Sequence, residues 1–275
     1  MNILITGKNG FLAKEFSANL QGFNLTFVGR EELDLTDNYS VRQFFKTRSF
    51  DAVLHTAIKG GRRDNNDTFR EFSDNILMFN NILDNKHKYG KLINFCSGAA
   101  FGKGEVWEKY EHNLYAHMPS DPYGMSKNVI ARECNKIRNF YNLRIFGCFG
   151  FFEDEKRFIK SSMVKALKQE PINVHQNKTM DFVSSYDLCT VVGHFLENDL
   201  DEDYRDVNVC YEYKTTLKNI AHEIVNLTKS ESEIIIDKQG YGYAYTGSSK
   251  KISSLNLDLQ GTNKSLVKLL ENLIG

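Results

Sequence analysis

Short apolar runs recur along the first part of this chain, at residues 2–6 (NILIT), 24–29 (NLTFVG), 51–57 (DAVLHTA) and 91–96 (KLINFC). Runs this short and this continuously apolar are the pattern of strands covered on both faces, as in a parallel sheet. Between them the spacing changes to three and four. Phe16 and Leu20 mark a helix over 14–20, a second helix is expected over 40–47, and Phe69, Phe72, Ile76, Phe79 and Leu83 draw one seam along 67–86. Leu77 and Ile82 fall off that seam, which predicts a second buried face there, such as a subunit interface. Strands alternating with helices predict an α/β fold: a doubly wound parallel sheet, helices on both sides, with ligands at the carboxyl ends of the strands.

The first of those strand ends carries Gly7-Lys8-Asn9-Gly10-Phe11-Leu12-Ala13, a glycine turn running straight into a helix. Such a turn collects backbone N–H groups and the positive end of the helix, which suits a pyrophosphate. Gly7 makes the tight turn, Gly10 lets the phosphates approach the backbone, and the small Ala13 allows close helix packing. The second strand ends at Arg30. A dinucleotide site takes an acidic residue near this place for a ribose 2′-hydroxyl, or an arginine for a 2′-phosphate. Arg30 therefore favours NADP(H) over NAD(H), although Glu31 and Glu32 would repel a phosphate if they pointed inward. Asp34 and Leu35 follow, positioned to touch the adenine.

After residue 150 the pattern changes. Helices are expected over 158–168, 185–196, 217–228 and 263–273, with short strands at 172–174, 181–183, 206–210 and 233–236. This divides the chain into a Rossmann-like dinucleotide-binding domain, 1–150, to which 181–210 return, and a small C-terminal α/β substrate-binding cap over most of 151–275. The cluster Tyr241-Gly-Tyr-Ala-Tyr245 reads as a surface turn from its composition, with stacking on a base or sugar as the alternative.

The candidate chemistry lies in Ser120-Asp121-Pro122-Tyr123-Gly124-Met125-Ser126-Lys127. Ser120 or Asp121 can cap a helix that Pro122 opens, and four-residue spacing then puts the Tyr123 phenol and the Lys127 ammonium on one face. A cation beside a phenol stabilises the phenolate and draws its pKa toward the working range. With 13 tyrosines in the chain, one such spacing is expected by chance, so the pair gains weight only from what surrounds it. Ser97, at the end of the 91–96 strand, adds a hydroxyl that on its own reads as a strand-end cap.

Bulk properties exclude several classes. The 275 residues carry 35 basic and 35 acidic groups, a formal net charge of zero, so neither nucleic acid nor a lipid surface is indicated as partner. The longest apolar run, 145–152, is too short to span a bilayer, and the N-terminus lacks a basic lead-in, so a cytoplasmic protein is expected. The five cysteines form no Cys-x-x-Cys pair and the seven histidines are scattered, so neither a disulfide framework nor a metal site is expected.

These residues, in this order, resemble the extended short-chain dehydrogenase/reductase family of sugar-nucleotide epimerases, dehydratases and reductases. The resemblance runs through TGKNGFLA, the Asp34-Leu35 step, HTA at Thr56, CSGAAFG at Ser97, YGMSK at Tyr123, LRIFGCFG at Arg144, MDFVSSYDL at Met180 and VNVCYEYKTTLKNIA from Val207. It implies catalysis by Ser97, Tyr123 and Lys127. It implies a cofactor lined by Gly7, Asn9, Gly10, Phe11, Leu12, Arg30, Asp34, Leu35, Thr56, Ala57, Ile58, Asn75, Lys127 and Phe146. For a nucleotide-sugar substrate it implies Ser97, Gly98, Arg62 and Arg157, and it implies a homodimer through a bundle of the 67–86 helix and the helix at Tyr123. Departures narrow the activity. Gly98 and Ala99 stand where dehydratases carry acids, and Ala99 replaces the cysteine base of the GDP-fucose epimerase-reductase, whose partner histidine is missing from 151–160. Gly147 replaces a usual asparagine and Met180 an arginine that binds the substrate pyrophosphate, leaving Arg62, Arg63, Lys156, Arg157 or Lys178 to bind phosphate. What remains is an NADPH-dependent reductase of a nucleotide-linked keto-sugar, a 4-keto-6-deoxy sugar first, in surface-polysaccharide sugar biosynthesis. The alternatives are a 4-epimerase with retained NAD and a non-catalytic nucleotide-binding relative.

Overall fold

In the computed structural model, described for residues 1–61, 67–102 and 108–275, the chain alternates strand and helix from its first residues. The first half runs β1 (Asn2–Thr6), α1 (Phe11–Asn19), β2 (Asn24–Val28), α2 (Asn38–Lys46), β3 (Phe50–His55), α3 (Phe69–Leu83), β4 (Tyr89–Ser97), α4 (Pro122–Cys134) and β5 (Phe140–Ile145). The second runs β6 (Cys148–Phe149), α5 (Phe158–Leu167), β7 (Ile172–Asn177), β8 (Val183–Ser184), α6 (Ser185–Glu197), β9 (Asp206–Val209), α7 (Leu217–Thr228), β10 (Ile234–Tyr241), α8 (Lys250–Ser254) and α9 (Gly261–Ile274).

Six strands form one sheet in the order β2-β1-β3-β4-β5-β9, every pair parallel. Alternate residues of β1 enter opposite cores. Ile3 and Ile5 pack with Phe16, Leu54 and Phe195, while Leu4 packs with Phe45, Val53 and Phe79. Both layers are buried, which is why the strands read as continuous apolar runs instead of alternating ones. The strand order reverses between β1 and β3, and the crevice outside the carboxyl ends at such a switch point is where open α/β sheets take ligands. A two-stranded parallel sheet of β7 and β10 packs with α5 and α7 around a separate core that includes Phe149, Ile159, Val174, Ile224 and Leu269.

The structure corrects the expected seam of α3. Its buried face is Asn75, Met78, Phe79, Asn81 and Ile82, so Ile82 belongs to the protein's own core, whereas Phe69 is 64% and Leu77 46% exposed. Hydrogen bonds turn the helix this way. Asn81 Nδ2 donates to the Leu35 carbonyl at 2.8 Å, and Asn75 is tied to the loop after β3, so two polar side chains take core positions that apolar spacing does not mark. Burial of polar groups is tolerated where their partners are supplied.

Candidate active site

At the end of β1, Gly7 has φ +74° and backs onto β3: a Cβ there would lie 2.9 Å from both Cα and N of Ala57. Thr56 Oγ1 donates to the Thr6 carbonyl at 2.5 Å and Ala57 N donates to Thr6 Oγ1 at 3.2 Å, clamping the two strand ends together. Gly10 precedes α1 without any side-chain cap, and no acidic residue occupies the first turn. The open N–H groups of that turn, next to the strand switch, fit a pyrophosphate. Asn9 is exposed beside them and Phe11 and Leu12 are partly buried in the turn; across the crevice Ile58 is 38% exposed.

The far end of the crevice, at the end of β2, is more crowded than the sequence suggests. Glu32 folds back onto its own turn, accepting from Gly29 N at 2.9 Å and pairing with Lys8. Arg30, 71% exposed at its side chain, reaches Asp34 at 3.2 Å. Asp34 in turn is held below the usual carboxylate range, first by the Thr36 hydroxyl and amide and then by Arg30. Leu35 is buried in the core, so of this pair only Asp34 keeps a partly open side chain.

The loop after β3 leads to the second half of the site. Asn75 spends both amide hydrogens within the protein, on the Lys59 carbonyl (3.0 Å) and Ser126 Oγ (3.1 Å), and accepts from Lys59 N at 2.9 Å. It thereby positions the loop that carries Gly61, whose missing Cβ would sit 2.7 Å from the Tyr123 ring. α4 starts as the sequence predicts, with Asp121 as its cap, accepting from Gly124 N at 2.8 Å, and with Pro122 in the first turn. Gly124 lets the helix approach the turn after β4, since a Cβ there would meet the Ala99 carbonyl at 2.6 Å.

Tyr123 and Lys127 share the face of α4 that meets β4, the Lys127 ammonium 5.9 Å from the Tyr123 ring centre. Lys127 Nζ donates to the Phe95 carbonyl at 2.6 Å, and burial pulls its pKa down to about 8. The Tyr123 phenol is pushed above its ordinary range, first by burial and then by Tyr245, with Ser97 and Arg157 opposing. This reverses the sequence expectation of a lowered phenol pKa: with the ammonium beside the ring instead of against the oxygen, desolvation wins. His55, behind the pair, is buried and held neutral with a pKa of about 3, bonding Thr6 Oγ1 through Nδ1 at 3.1 Å.

Ser97, at the end of β4, accepts from Ala99 N at 3.2 Å. Its other neighbour is one that the sequence reading missed, the Tyr245 hydroxyl at 3.2 Å. Tyr241 and Tyr243 are exposed at 72% and 68%, as a surface turn requires, but Tyr245 points the other way, into the site. Spacing held no signal for this, because residues two apart in an extended chain share a face, and Tyr245 departs from its two exposed neighbours. Phe146 is 7% exposed, stacked on Phe101 and edge-on to Tyr245, and Gly98 lies directly beneath the Phe146 and Tyr245 rings. Arg157 stands at the N-cap position of α5 without a side-chain cap bond and pairs at 3.2 Å with buried Glu153, whose pKa burial pushes up to about 7. Arg62 and Arg63 lie outside the described residues. In the cap, a cavity of about 460 Å³ is lined by Lys156, Phe158, Lys165, His175, Lys178 and Tyr243, among others.

A glycine turn at a strand switch, with a serine, a tyrosine and a lysine converging one strand away, has a counterpart among known families. The model of the NAD dependent epimerase/dehydratase family matches residues 3–210. The chain belongs to that family. A search of curated proteins returned no match. Among solved structures the chain is similar to a GDP-mannoheptose C4 reductase from Campylobacter jejuni with NADP bound, at 20% identity over 99% of this chain and 98% of that one, TM-score 0.85. It is similar to a GDP-L-fucose synthetase from Naegleria fowleri bound to NADP, at 18% identity over 99% and 92%, TM-score 0.85. It is also similar to the UDP-glucose 4-epimerase from Thermus thermophilus in complex with NAD, at 18% identity over 100% and 99%, TM-score 0.80. Within this epimerase/dehydratase framework two departures have a visible cause. A side chain at Gly147 would collide with Phe182 at 2.7 Å, and Met180 is 5% exposed in the core of the cap. Met180 thus presents little surface to a ligand, while Lys156 and Lys178 line the cavity.

Proposed function

We propose that this protein is an NADPH-dependent reductase of a nucleotide-linked keto-sugar, a 4-keto-6-deoxy sugar first, serving surface-polysaccharide sugar synthesis. The observation that carries the reading is the convergence of Ser97, Tyr123 and Lys127 beside a capless helix start at the strand switch. A bound nicotinamide supplies the hydride. Tyr123, kept protonated by burial, donates its proton to the carbonyl oxygen as charge develops there. Ser97 donates a hydrogen bond to the same oxygen, and the Lys127 ammonium stabilises the phenolate left on Tyr123. Lys127 would also bond the ribose of the cofactor, and Gly7, Gly10, Phe11 and Leu12 would cradle its pyrophosphate. Lys8 and Arg30 flank the end of β2 and favour a 2′-phosphate once Glu32 and Asp34 give way; two of the similar reductases and synthetases were solved with NADP. The cavity in the cap, with Lys156 and Lys178 in its wall, suits the nucleoside diphosphate of the substrate.

The rival within the family is a 4-epimerase, which keeps its NAD and returns the hydride to the opposite face. Stoichiometric loss of NADPH absorbance with keto-sugar nucleotides, set against release of tightly held NAD from purified protein, separates the two. Tyr123→Phe is expected to lower kcat by about a thousandfold with NADPH affinity unchanged; a variant retaining most of its activity would remove Tyr123 from the chemistry. The outward Phe69 and Leu77 of α3, beside α4, support a homodimer. Five free, buried thiols suit a reducing cytoplasm.

A further inference from the structure

Tyr245 comes from the cap side of the chain, yet its hydroxyl reaches the serine at the end of β4. Its backbone is fixed on both sides: Tyr245 N donates to the Thr179 carbonyl at 2.9 Å, and Asp181 N donates to the Tyr245 carbonyl at 3.1 Å. Two residues on, Gly247 N donates to Asp181 Oδ2 at 2.9 Å, and Lys214 Nζ ties that carboxylate to the Gly247 carbonyl at 2.9 and 2.7 Å. The ring stands edge-on to Phe146 with centroids 5.3 Å apart. Glycines clear the space for both rings. A Cβ on Gly98 would lie 2.9 Å from Tyr245 Cζ, and one on Gly247 would lie 2.3 Å from Phe146. The phenol is thus built into its position.

A serine hydroxyl has one proton to give and two lone pairs to fill. Ala99 N–H fills one at 3.2 Å, and the Tyr245 hydroxyl is the neighbour at the other, also at 3.2 Å. We infer that Tyr245 is a positioning residue for the proposed reduction: its O–H donates to Ser97 Oγ, which leaves the Ser97 proton aimed at the substrate oxygen. The inference rests on the reading of Ser97 as a donor to that oxygen. Burial, which raises the Tyr245 pKa, keeps the phenol a donor at neutral pH. The opposite polarity, with Ser97 donating to Tyr245, would take the serine's only proton away from the substrate and make Tyr245 a brake.

The test is a double-mutant cycle on the purified protein with NADPH and the keto-sugar nucleotide that it turns over. Tyr245→Phe keeps the ring against Phe146 and loses only the hydroxyl; it is expected to lower kcat about tenfold with KM within about twofold. In a Ser97→Ala background the same change is expected to alter kcat by less than about twofold, since the group it acts through is gone. An unchanged unfolding temperature shows that neither variant has lost its fold. A kcat that stays level or rises in Tyr245→Phe, or a full loss repeated without Ser97, overturns the role of Tyr245 while the reductase reading stands. A wild type that turns over no keto-sugar nucleotide, or a Ser97→Ala as fast as wild type, overturns the reading and this inference with it.

Discussion

A proton donor in reduction must hold its proton until charge builds on the substrate oxygen. Burial raises the Tyr123 pKa and lowers that of Lys127 to about 8, so near neutrality the phenol is protonated and the amine is still charged. Because the amine titrates first, alkaline loss of rate belongs to Lys127. As pH rises through about 8 the ammonium becomes neutral, the phenolate formed on Tyr123 loses its counter-charge, and kcat falls. The profile at saturating NADPH and keto-sugar is expected to descend from there. Lys127→Met is expected to be slower throughout and to lack that limb. A wild-type kcat level to about pH 10 would assign the lysine to cofactor binding alone. A second residue-scale expectation concerns cofactor choice. Arg30→Ala is expected to weaken NADPH about tenfold and NADH by less than about twofold in fluorescence titrations, because only the first carries a 2′-phosphate. Equal weakening of both would leave Arg30 outside the phosphate site.

At the scale of elements, the β1–α1 turn shows which parts of the fold sequence can announce. Gly7, Gly10 and the run into α1 are legible because a tight turn at φ +74° favours glycine, and that demand is local. The α4 start is legible for the same reason, through Asp121 and Pro122. What stayed hidden depends on contacts between distant segments: Tyr245 reaching Ser97, Glu32 pairing with Lys8, and Asn75 and Asn81 taking core positions on α3. No periodicity encodes a hydrogen bond between residues 148 apart. The glycine argument can be weighed directly. Gly7 and Gly22 both have positive φ, but a Cβ on Gly22 meets nothing within 4 Å. Gly22→Ala should therefore cost only the backbone preference, about 1 kcal/mol, whereas Gly7→Ala adds a collision with rigid backbone and should cost roughly 3 kcal/mol or more. Urea unfolding compares the two, and equal midpoints would mean that Gly7 is not held against β3.

Across the whole molecule, the sheet is buried on both faces, yet α3 keeps apolar side chains that the described residues leave exposed. Phe69 is 64% and Leu77 46% exposed, while the same helix packs inward through Met78, Phe79 and Ile82 and sideways onto α4. A helix that has satisfied its core and still presents large apolar groups on the opposite side calls for a partner, and a second copy of the same surface closes by two-fold symmetry. In that arrangement α3 and α4 of each protomer form the bundle, and α4 carries Tyr123 and Lys127 on its other side. Association then braces the helix on which the proposed chemistry depends. Leu77→Lys puts a charge into the centre of such a contact and is expected to shift the mass measured by light scattering from dimer to monomer. Activity should fall with it, since α4 loses its support, whereas Lys218, on the cap helix α7, should tolerate a charge change to Glu with mass and activity retained. If wild type and Leu77→Lys are both monomeric, α3 is not the interface and its exposed apolar side chains serve another contact.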